Sequence, residues 1–140
     1  MTGVQTCALP ICSNITLDFL TVSPNEIPHP VHWMITNPPF SKAEEFIHKG
    51  LEIASDGVAV LVRTSFLESI KRYENLFSKN PPTVVAQFVE RVPMVKGRYD
   101  KKASTATSYC WLIFAKHFKV QNTIFMWIPP CRSQFEREDD

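Results

Sequence analysis

Two apolar segments of strand length, with a segment of helical periodicity between them, constrain the fold of this chain more than any other feature. Residues 31–36 and residues 58–62 have almost no polar alternation, which is typical of strands that are covered on both faces in a parallel sheet. Between them, small or apolar residues recur at helical spacing and predict an amphipathic helix: Ala43, Phe46, Ile47, Gly50, Leu51 and Ala54. The order strand, helix, strand predicts a β-α-β unit.

The rest of the chain extends this alternation. The segment Ser41–Glu44 has the pattern of a capping box and predicts the start of the first helix. A second helix is predicted from an apolar stripe that ends before Asn80-Pro81-Pro82, and its members are Phe66, Ile70, Tyr73 and Phe77. Further strands are predicted at 16–22, 83–89, 108–115 and, at an edge, 123–128. The sequence therefore predicts an α/β fold with a doubly wound, mostly parallel sheet, and an antiparallel pair from the last two strands, which no helix separates.

Composition narrows the class of protein. The 140 residues fit one domain, and a hydrophobic content of 44% is sufficient for a core. A formal net charge of +1 excludes a globally basic nucleic-acid binder, so any contact with nucleic acid must come from a local patch. The four cysteines show no C-x-x-C spacing, which favours free thiols and a cytoplasmic protein. No apolar stretch approaches the roughly 20 residues of a membrane span, and the four histidines are too scattered for a zinc site. Neither a membrane nor a metal partner is expected.

The two ends of the chain differ from its middle. Residues 1–11 closely resemble a translated sequencing-library adapter, so 1–12 are expected to be a leader that is foreign to the fold, with the natural N-terminus missing. Residues 131–140, with an acidic end, are expected to be a frayed tail. The folded domain is therefore expected at 13–130.

The tetrapeptide Asn37-Pro38-Pro39-Phe40 directly follows the apolar strand predicted at 31–36. In α/β sheets, ligands bind beyond the carboxyl ends of the strands, where this tetrapeptide is expected. The Asn37 carboxamide oxygen can accept a hydrogen bond from an exocyclic amine, and a backbone carbonyl held by the prolines can accept a second. The Phe40 ring can stack on a planar base turned out of its duplex. The alternative is that Asn-Pro-Pro is simply the turn that ends the strand.

These residues match motif IV, the (D/N/S)-P-P-(Y/F) tetrapeptide of the S-adenosylmethionine-dependent amino-methyltransferases, most familiar in the N6-adenine DNA enzymes. The run 37–116 resembles the phage and prophage branch of that family, including Val62-Arg63-Thr64 and the segments 88–94 and 101–109. The resemblance implies a partial Rossmann-like fold of the class I methyltransferases. It implies that Asn37 accepts from the target amine through its side chain and Pro38 through its carbonyl, with Pro39 completing the motif, and that Phe40 stacks on adenine in DNA.

The resemblance also implies S-adenosylmethionine as the cofactor. Asp18-Phe19 is similar to the family segment whose acid contacts the cofactor's adenine amino group, although an isolated Asp beside a turn is usually a loop acid. The family's glycine-rich first motif and its ribose-binding acid have no counterpart among the four glycines and their surroundings. The chain is therefore expected to be inactive alone. Similar tetrapeptides occur in enzymes that methylate guanine amines in ribosomal RNA and, with Tyr last, glutamine in release factors, so RNA and protein substrates stay open.

A basic segment follows the fourth predicted strand. Residues 91–107 hold five basic residues against one acid, a local net charge of +4, and the basic residues are Arg91, Lys96, Arg98, Lys101 and Lys102. Their mixture with hydroxyl residues suits contacts with a phosphate backbone, whereas a solvated surface is the simpler interpretation of a charge run. An alternative of another class is a non-catalytic nucleic-acid-binding remnant that uses only this segment.

Overall fold

The computed structural model of the chain describes residues 18–93, 106–119 and 121–135, and these form an α/β structure on one five-stranded mixed sheet. The strands are β1 Trp33–Thr36, β2 Gly57–Arg63, β3 Val84–Phe88, β4 Tyr109–Ala115 and β5 Ile124–Ile128. The α-helices are α1 Ala43–Ile53, α2 Ile70–Arg72 and α3 Arg132–Phe135, and α2 continues into a π-helical turn at Tyr73–Phe77. Short 3-10 turns occupy Pro24–Glu26, Phe40–Lys42 and Thr64–Leu67.

The sheet has the strand order β1-β2-β4-β3-β5. β1 pairs with β2 in parallel and β3 pairs with β5 in parallel, whereas β4 is antiparallel to both of its neighbours, β2 and β3. Four of the five strands in the described part of the chain therefore run in one direction, which confirms a mostly parallel α/β sheet. We call the end of the sheet at which these four strands finish the carboxyl end, and the opposite one the amino end.

The prediction that the last two strands pair with each other is wrong. β4 inserts between β2 and β3, and β5 continues past it to pair in parallel with the far side of β3. The burial of the two strands gives the physical reason. Cys110, Leu112 and Phe114 of β4 are almost fully buried, so this strand removes most apolar surface from water at a central position. β5 is mostly exposed and occupies an edge.

Helix α1 and residues 64–77, which we call the second helical region, lie on one face of the sheet. Gly50 of α1 approaches β1 and β2 so closely that a Cβ atom there would lie 2.4 Å from the Met34 Cε and 3.0 Å from the Val58 Cγ2. Because side chains alternate across a strand, this face carries the even-numbered residues of β2. Phe66 and Leu76, from the second helical region, belong to the same core cluster. Among the described residues, α1 and the second helical region therefore cover the same face of the sheet.

On the opposite face of the sheet, β2 is buried and β1 is exposed. The prediction that both strands are covered on two faces is confirmed for β2, in which Gly57–Val62 is buried throughout. It is wrong for β1, whose Trp33 and Ile35 are 41% and 64% exposed. The Trp33 ring lies over Gly57, where a Cβ atom would approach it to 2.5 Å, so an edge strand supplies the cover of its neighbour.

The second helical region departs from its predicted stripe. Ile70 and Tyr73 are 81% and 62% exposed, whereas Leu76 is fully buried. The helix does not run continuously from residue 64, because a 3-10 turn precedes a new start at which the Ser69 hydroxyl accepts from the Arg72 backbone N–H. The π-helical turn then alters the spacing on which the stripe depends.

Three terminal assignments also change. The predicted capping box at Ser41 is not formed, since α1 begins after Lys42 without a side-chain cap. Residues 18–22 form a turn closed on the Asp18 carbonyl rather than a strand. Residues 131–135, assigned by sequence to a frayed tail, include α3, and the Glu90 carboxylate accepts from the backbone N–H groups of Cys131 and Arg132. The leader 1–12 lies outside the described residues.

Candidate active site

Three chain segments meet at the carboxyl end of the sheet. β1 ends at Thr36, directly before Asn37, and its parallel register places Thr36 opposite Val60 of β2. β2 extends three residues further to Arg63, which pairs with Tyr109 at the start of β4. The segments that follow β1 and β2 and the segment that precedes β4 therefore lie side by side, as parallel strands and a central antiparallel strand require.

Asn37 and Pro38 present two hydrogen-bond acceptors. The Asn37 side chain is exposed and makes no hydrogen bond to any described residue. The Pro38 carbonyl likewise accepts none from the described residues, although the Pro38 side chain is buried. By contrast, the Pro39 carbonyl accepts from the Lys42 N–H at 2.8 Å in the following 3-10 turn. Within the tetrapeptide, the described structure leaves one amide side chain and one carbonyl available to a ligand.

Phe40, the last residue of the tetrapeptide, is 38% exposed. The Arg63 guanidinium carbon lies 4.5 Å from the centroid of the ring, over its face. The Tyr109 ring is 6.0 Å from it, centroid to centroid, at an interplanar angle of 35°. Tyr109 is only 5% exposed, so it supports Phe40 from the protein side. A partly exposed aromatic ring on a buried aromatic neighbour is a suitable platform for a planar ligand.

A polar network behind the platform ties the strand ends together. The Thr64 hydroxyl donates to the Gln87 Oε1 at 2.9 Å, and the Gln87 Nε2 donates to the carbonyls of Phe88 and Tyr109 at 2.9 and 3.0 Å. The Thr64 N–H donates to the Ser108 carbonyl at 2.9 Å. Sequence reasoning missed Gln87, although one amide within the otherwise apolar β3 is the signal that could have found it. Burial raises the pKa of the neighbouring Cys110 thiol to about 11, against a smaller opposing effect of its contact with Thr64, so the thiol is neutral near pH 7.

Asp18 and Phe19, expected to hold the cofactor, are engaged elsewhere. The Asp18 Oδ1 accepts from the Leu20 N–H at 3.1 Å, within its own turn. The Phe19 ring stacks on Phe46 of α1, with centroids 5.0 Å apart, and packs against the core. The two described glycines, Gly50 and Gly57, are packing positions under Met34 and Trp33 and form no phosphate-type or ribose-binding loop. Among the described residues no glycine-rich cofactor loop is formed, while Asp18 is exposed and its Oδ2 bonds to no described residue.

The basic segment is only partly described. Arg91 is exposed, and its guanidinium donates to the Ala106 carbonyl and, at 3.3 Å, to the Ser108 hydroxyl. Since the Thr64 N–H also donates to the Ser108 carbonyl, Arg91 lies at the same end of the sheet as the platform. Lys96, Arg98, Lys101 and Lys102 lie outside the described residues. Arg63, which sequence reasoning did not include among the candidate site residues, is the basic side chain that contacts Phe40.

Two structural searches bear on other classes of site. Among residues 18–93, 106–119 and 121–135, no group of three or more His, Cys, Asp or Glu side chains is placed to hold a metal ion. In the same part of the chain, every helix is too short or too polar to cross a bilayer.

Comparisons with known proteins add no relative to this picture. Searches against protein-family models, curated protein sequences and solved structures found no match to the chain. What the site can do must therefore be argued from its own geometry.

Proposed function

We propose that this chain carries the amine-binding part of a methyltransferase active site, acting on the exocyclic amine of adenine in DNA. The observation that supports it is that two acceptors, the Asn37 carboxamide oxygen and the Pro38 carbonyl, bond to no described residue and are followed in the same tetrapeptide by the partly exposed Phe40 ring. An aromatic amine has two N–H donors on a planar ring, and this arrangement offers two acceptors and a stacking face.

The chemistry of such an amine explains why two acceptors matter. The lone pair of an exocyclic amine is delocalised into its ring, which makes the nitrogen a weak nucleophile. Two hydrogen bonds accepted from its N–H groups orient the nitrogen and favour a localised lone pair, which is then held for in-line attack. Stacking on Phe40 fixes the plane of the ring. Asn37 and Pro38 would thus position the amine, and the buried Tyr109 would hold the platform in place.

The methyl donor implied by the sequence resemblance is S-adenosylmethionine. The Asp18 Oδ1 accepts within its own turn and the Phe19 ring stacks on Phe46, which leaves the exposed Asp18 Oδ2 as the one group of this pair that could contact the donor. The described residues account for binding the amine and not for binding the methyl donor.

Two features favour a nucleic acid over a protein substrate. The Arg63 guanidinium has no carboxylate partner among the described residues and lies directly at the platform. Arg91 lies at the same end of the sheet, where its guanidinium contacts Ser108. Positive groups beside an aromatic face suit a base with its adjoining phosphates. RNA guanine amines present a similar donor, and they are the alternative substrate within this reaction class.

A second candidate function is nucleic-acid binding without catalysis. It is favoured by one observation, the absence of a glycine-rich cofactor loop among the described residues. In that case Arg63 and Arg91 would bind phosphate while Asn37 and Pro38 contacted no amine.

The amine contact can be tested on the 140-residue chain without the cofactor. Fluorescence anisotropy would compare single-stranded oligonucleotides that contain adenine or purine, which lacks the 6-amino group. We expect adenine to bind more tightly, by about 3- to 10-fold for one net hydrogen bond of ~1 kcal/mol. Asn37→Ala should reduce this preference, because only the Pro38 carbonyl then accepts from the amine, whereas Asn37→Asp keeps an acceptor and should retain it. Asn80→Ala is the matched control, since Asn80 is an exposed asparagine that also precedes two prolines.

Methyl transfer itself would be measured on the 140-residue chain and on the product of its gene as the genome encodes it. Labelled methyl incorporation from S-adenosylmethionine into duplex DNA and into RNA would identify the substrate. Full incorporation by Asn37→Ala would refute the role given to Asn37. Equal binding of the adenine and purine oligonucleotides by the unchanged chain would instead favour the non-catalytic candidate.

A further inference from the structure

Arg63 differs from the other arginine that lies over an aromatic ring. Arg72 lies 4.2 Å over the Phe66 ring, and its guanidinium also donates to the Phe66 carbonyl at 2.8 Å. Phe66 is buried, so this pair is part of the packing of the second helical region. Arg63 is exposed, and its guanidinium makes no hydrogen bond or ion pair with any described residue. Its N–H donors are therefore open to a ligand.

The position of Arg63 conflicts with a base stacked on the same side of Phe40. A guanidinium is planar and lies on aromatic faces as a base does. With its carbon 4.5 Å from the centroid, the Arg63 guanidinium occupies space that a stacked base would need. Tyr109 is held in the core, whereas Arg63 is at the surface and can rotate about its side-chain bonds. A base that enters the platform on this side would displace Arg63 rather than Tyr109.

We propose that Arg63 covers the Phe40 ring in the free protein and, when a target base takes its place, binds a backbone phosphate beside that base. The proposal rests on the proposed function, because it takes a base as the ligand of Phe40. A guanidinium offers paired N–H donors that match two phosphate oxygens. A displaced Arg63 remains anchored at the end of β2, next to Phe40, where the phosphate of a stacked nucleotide must also lie.

Salt dependence of binding is the measurement that separates a phosphate contact from a structural role. Fluorescence anisotropy of the adenine-containing single-stranded oligonucleotide would be recorded over a series of salt concentrations for the 140-residue chain and its variants. Arg63→Ala should weaken binding about 10-fold at low salt, as expected for loss of a charge-assisted hydrogen bond. It should also reduce the slope of log K against log salt by about 0.7, the value for one single-strand phosphate contact.

Two further variants keep the result decisive. Arg63→Lys retains the charge and should retain the slope while losing part of the affinity, because an ammonium lacks the paired donors. Lys79→Ala removes one exposed charge at the amino end of the sheet and should change neither quantity. Thermal unfolding of each variant would verify that all remain folded. An unchanged slope in folded Arg63→Ala, or a gain in affinity from uncovering Phe40, would overturn the phosphate role.

The same measurements distinguish this proposal from the proposed function. Asn37 determines the preference for adenine over purine, and Arg63→Ala should leave that preference intact. If the preference is present but Arg63 does not alter the slope, the Arg63 proposal fails and the amine site stands. If the preference is absent, the amine site fails, and with it the proposed exchange between Arg63 and a base.

Discussion

The chain contains the tripeptide Asn-Pro-Pro twice, and the two copies lie at opposite ends of the sheet and are followed by different kinds of residue. Asn37-Pro38-Pro39 follows β1 at the carboxyl end of the sheet, whereas Asn80-Pro81-Pro82 precedes β3 at the amino end. In the first copy, the Asn37 side chain and the Pro38 carbonyl bond to no described residue. The Asn80 side chain and the Pro81 carbonyl likewise bond to no described residue, and the Pro82 carbonyl accepts from the Thr123 hydroxyl at 2.7 Å, as the Pro39 carbonyl does from the Lys42 N–H.

The residues that follow the two tripeptides differ in their exposure and in their contacts. Phe40 is partly exposed and contacts Arg63 and Tyr109. Thr83 is buried, and its hydroxyl accepts from the Ala115 N–H at 2.9 Å, which fastens the start of β3 to the end of β4. The residue after the second copy therefore joins two strands, whereas the residue after the first copy presents part of an aromatic ring to solvent. The comparison teaches that Asn-Pro-Pro alone does not define a site, and that its place on the sheet does.

The largest expected effect is on stability at the second copy. Thr83→Val keeps the shape of the side chain but removes the acceptor of the Ala115 N–H. We expect the free energy of unfolding to fall by about 1–3 kcal/mol, the cost of leaving such a group without a partner. Urea unfolding would measure this, and Thr21→Val, at an exposed position, is the control. A loss no larger than that of the control would mean that the two copies do not differ as described.

A similar substitution after the first copy should affect binding instead. Phe40→Ala removes the stacking platform, so we expect the affinity for an adenine-containing single strand to fall by about 1–3 kcal/mol per stacked base. Its loss of stability should be smaller than its loss of affinity, because the ring is partly exposed. Anisotropy and urea unfolding would be compared with Phe118→Ala, an exposed phenylalanine at the amino end. Unchanged binding in Phe40→Ala would remove the platform from the proposed site.

The smallest expected effect concerns an ionisable cluster at the amino end. The Asp56 carboxylate lies 3.2 Å from the His32 Nδ1 and 3.2 Å from the His117 Nε2. A hydrogen bond from Ser55 is the largest cause that lowers the pKa of Asp56 from 3.8; desolvation, the next largest, opposes it, and contacts with His117 and His32 lower the pKa further. A lowered carboxyl pKa stabilises the folded state above pH 3.8, and this contribution is lost as the pH falls through the lowered value.

Asp56→Asn tests this contribution. Urea unfolding would be recorded from neutral pH down to below the usual pKa of 3.8 for both proteins. The unchanged chain should lose more stability over this range than Asp56→Asn, by a small amount because the carboxylate is at the surface. Glu44→Gln would control for the general effect of removing one carboxylate. Parallel pH profiles for Asp56→Asn and the unchanged chain would show that the cluster adds nothing to folding.

Periodicity and chain-breaking residues made part of this structure predictable. α1 and the strands β1 to β4 follow from apolar patterns that depend on near neighbours, and the prolines after Asn37 end β1 where expected. The second helical region was mispredicted, because the stripe through Ile70 and Tyr73 assumes one continuous helix and the chain forms a 3-10 turn, a short α-helix and a π-helical turn. Asp18 and Phe19 matched a cofactor segment by sequence, but a local turn and a core contact explain them.

By itself, the sequence determined that the chain forms an α/β sheet and that Asn37, Pro38 and Phe40 follow a strand, because these depend on local spacing and on the rigidity of proline. The tertiary structure decided where β4 and β5 pair, which face the helices cover, and that Arg63 meets Phe40. Those contacts join residues far apart in the chain, and they follow from which strands bury the most apolar surface together. The two Asn-Pro-Pro copies differ for this same reason.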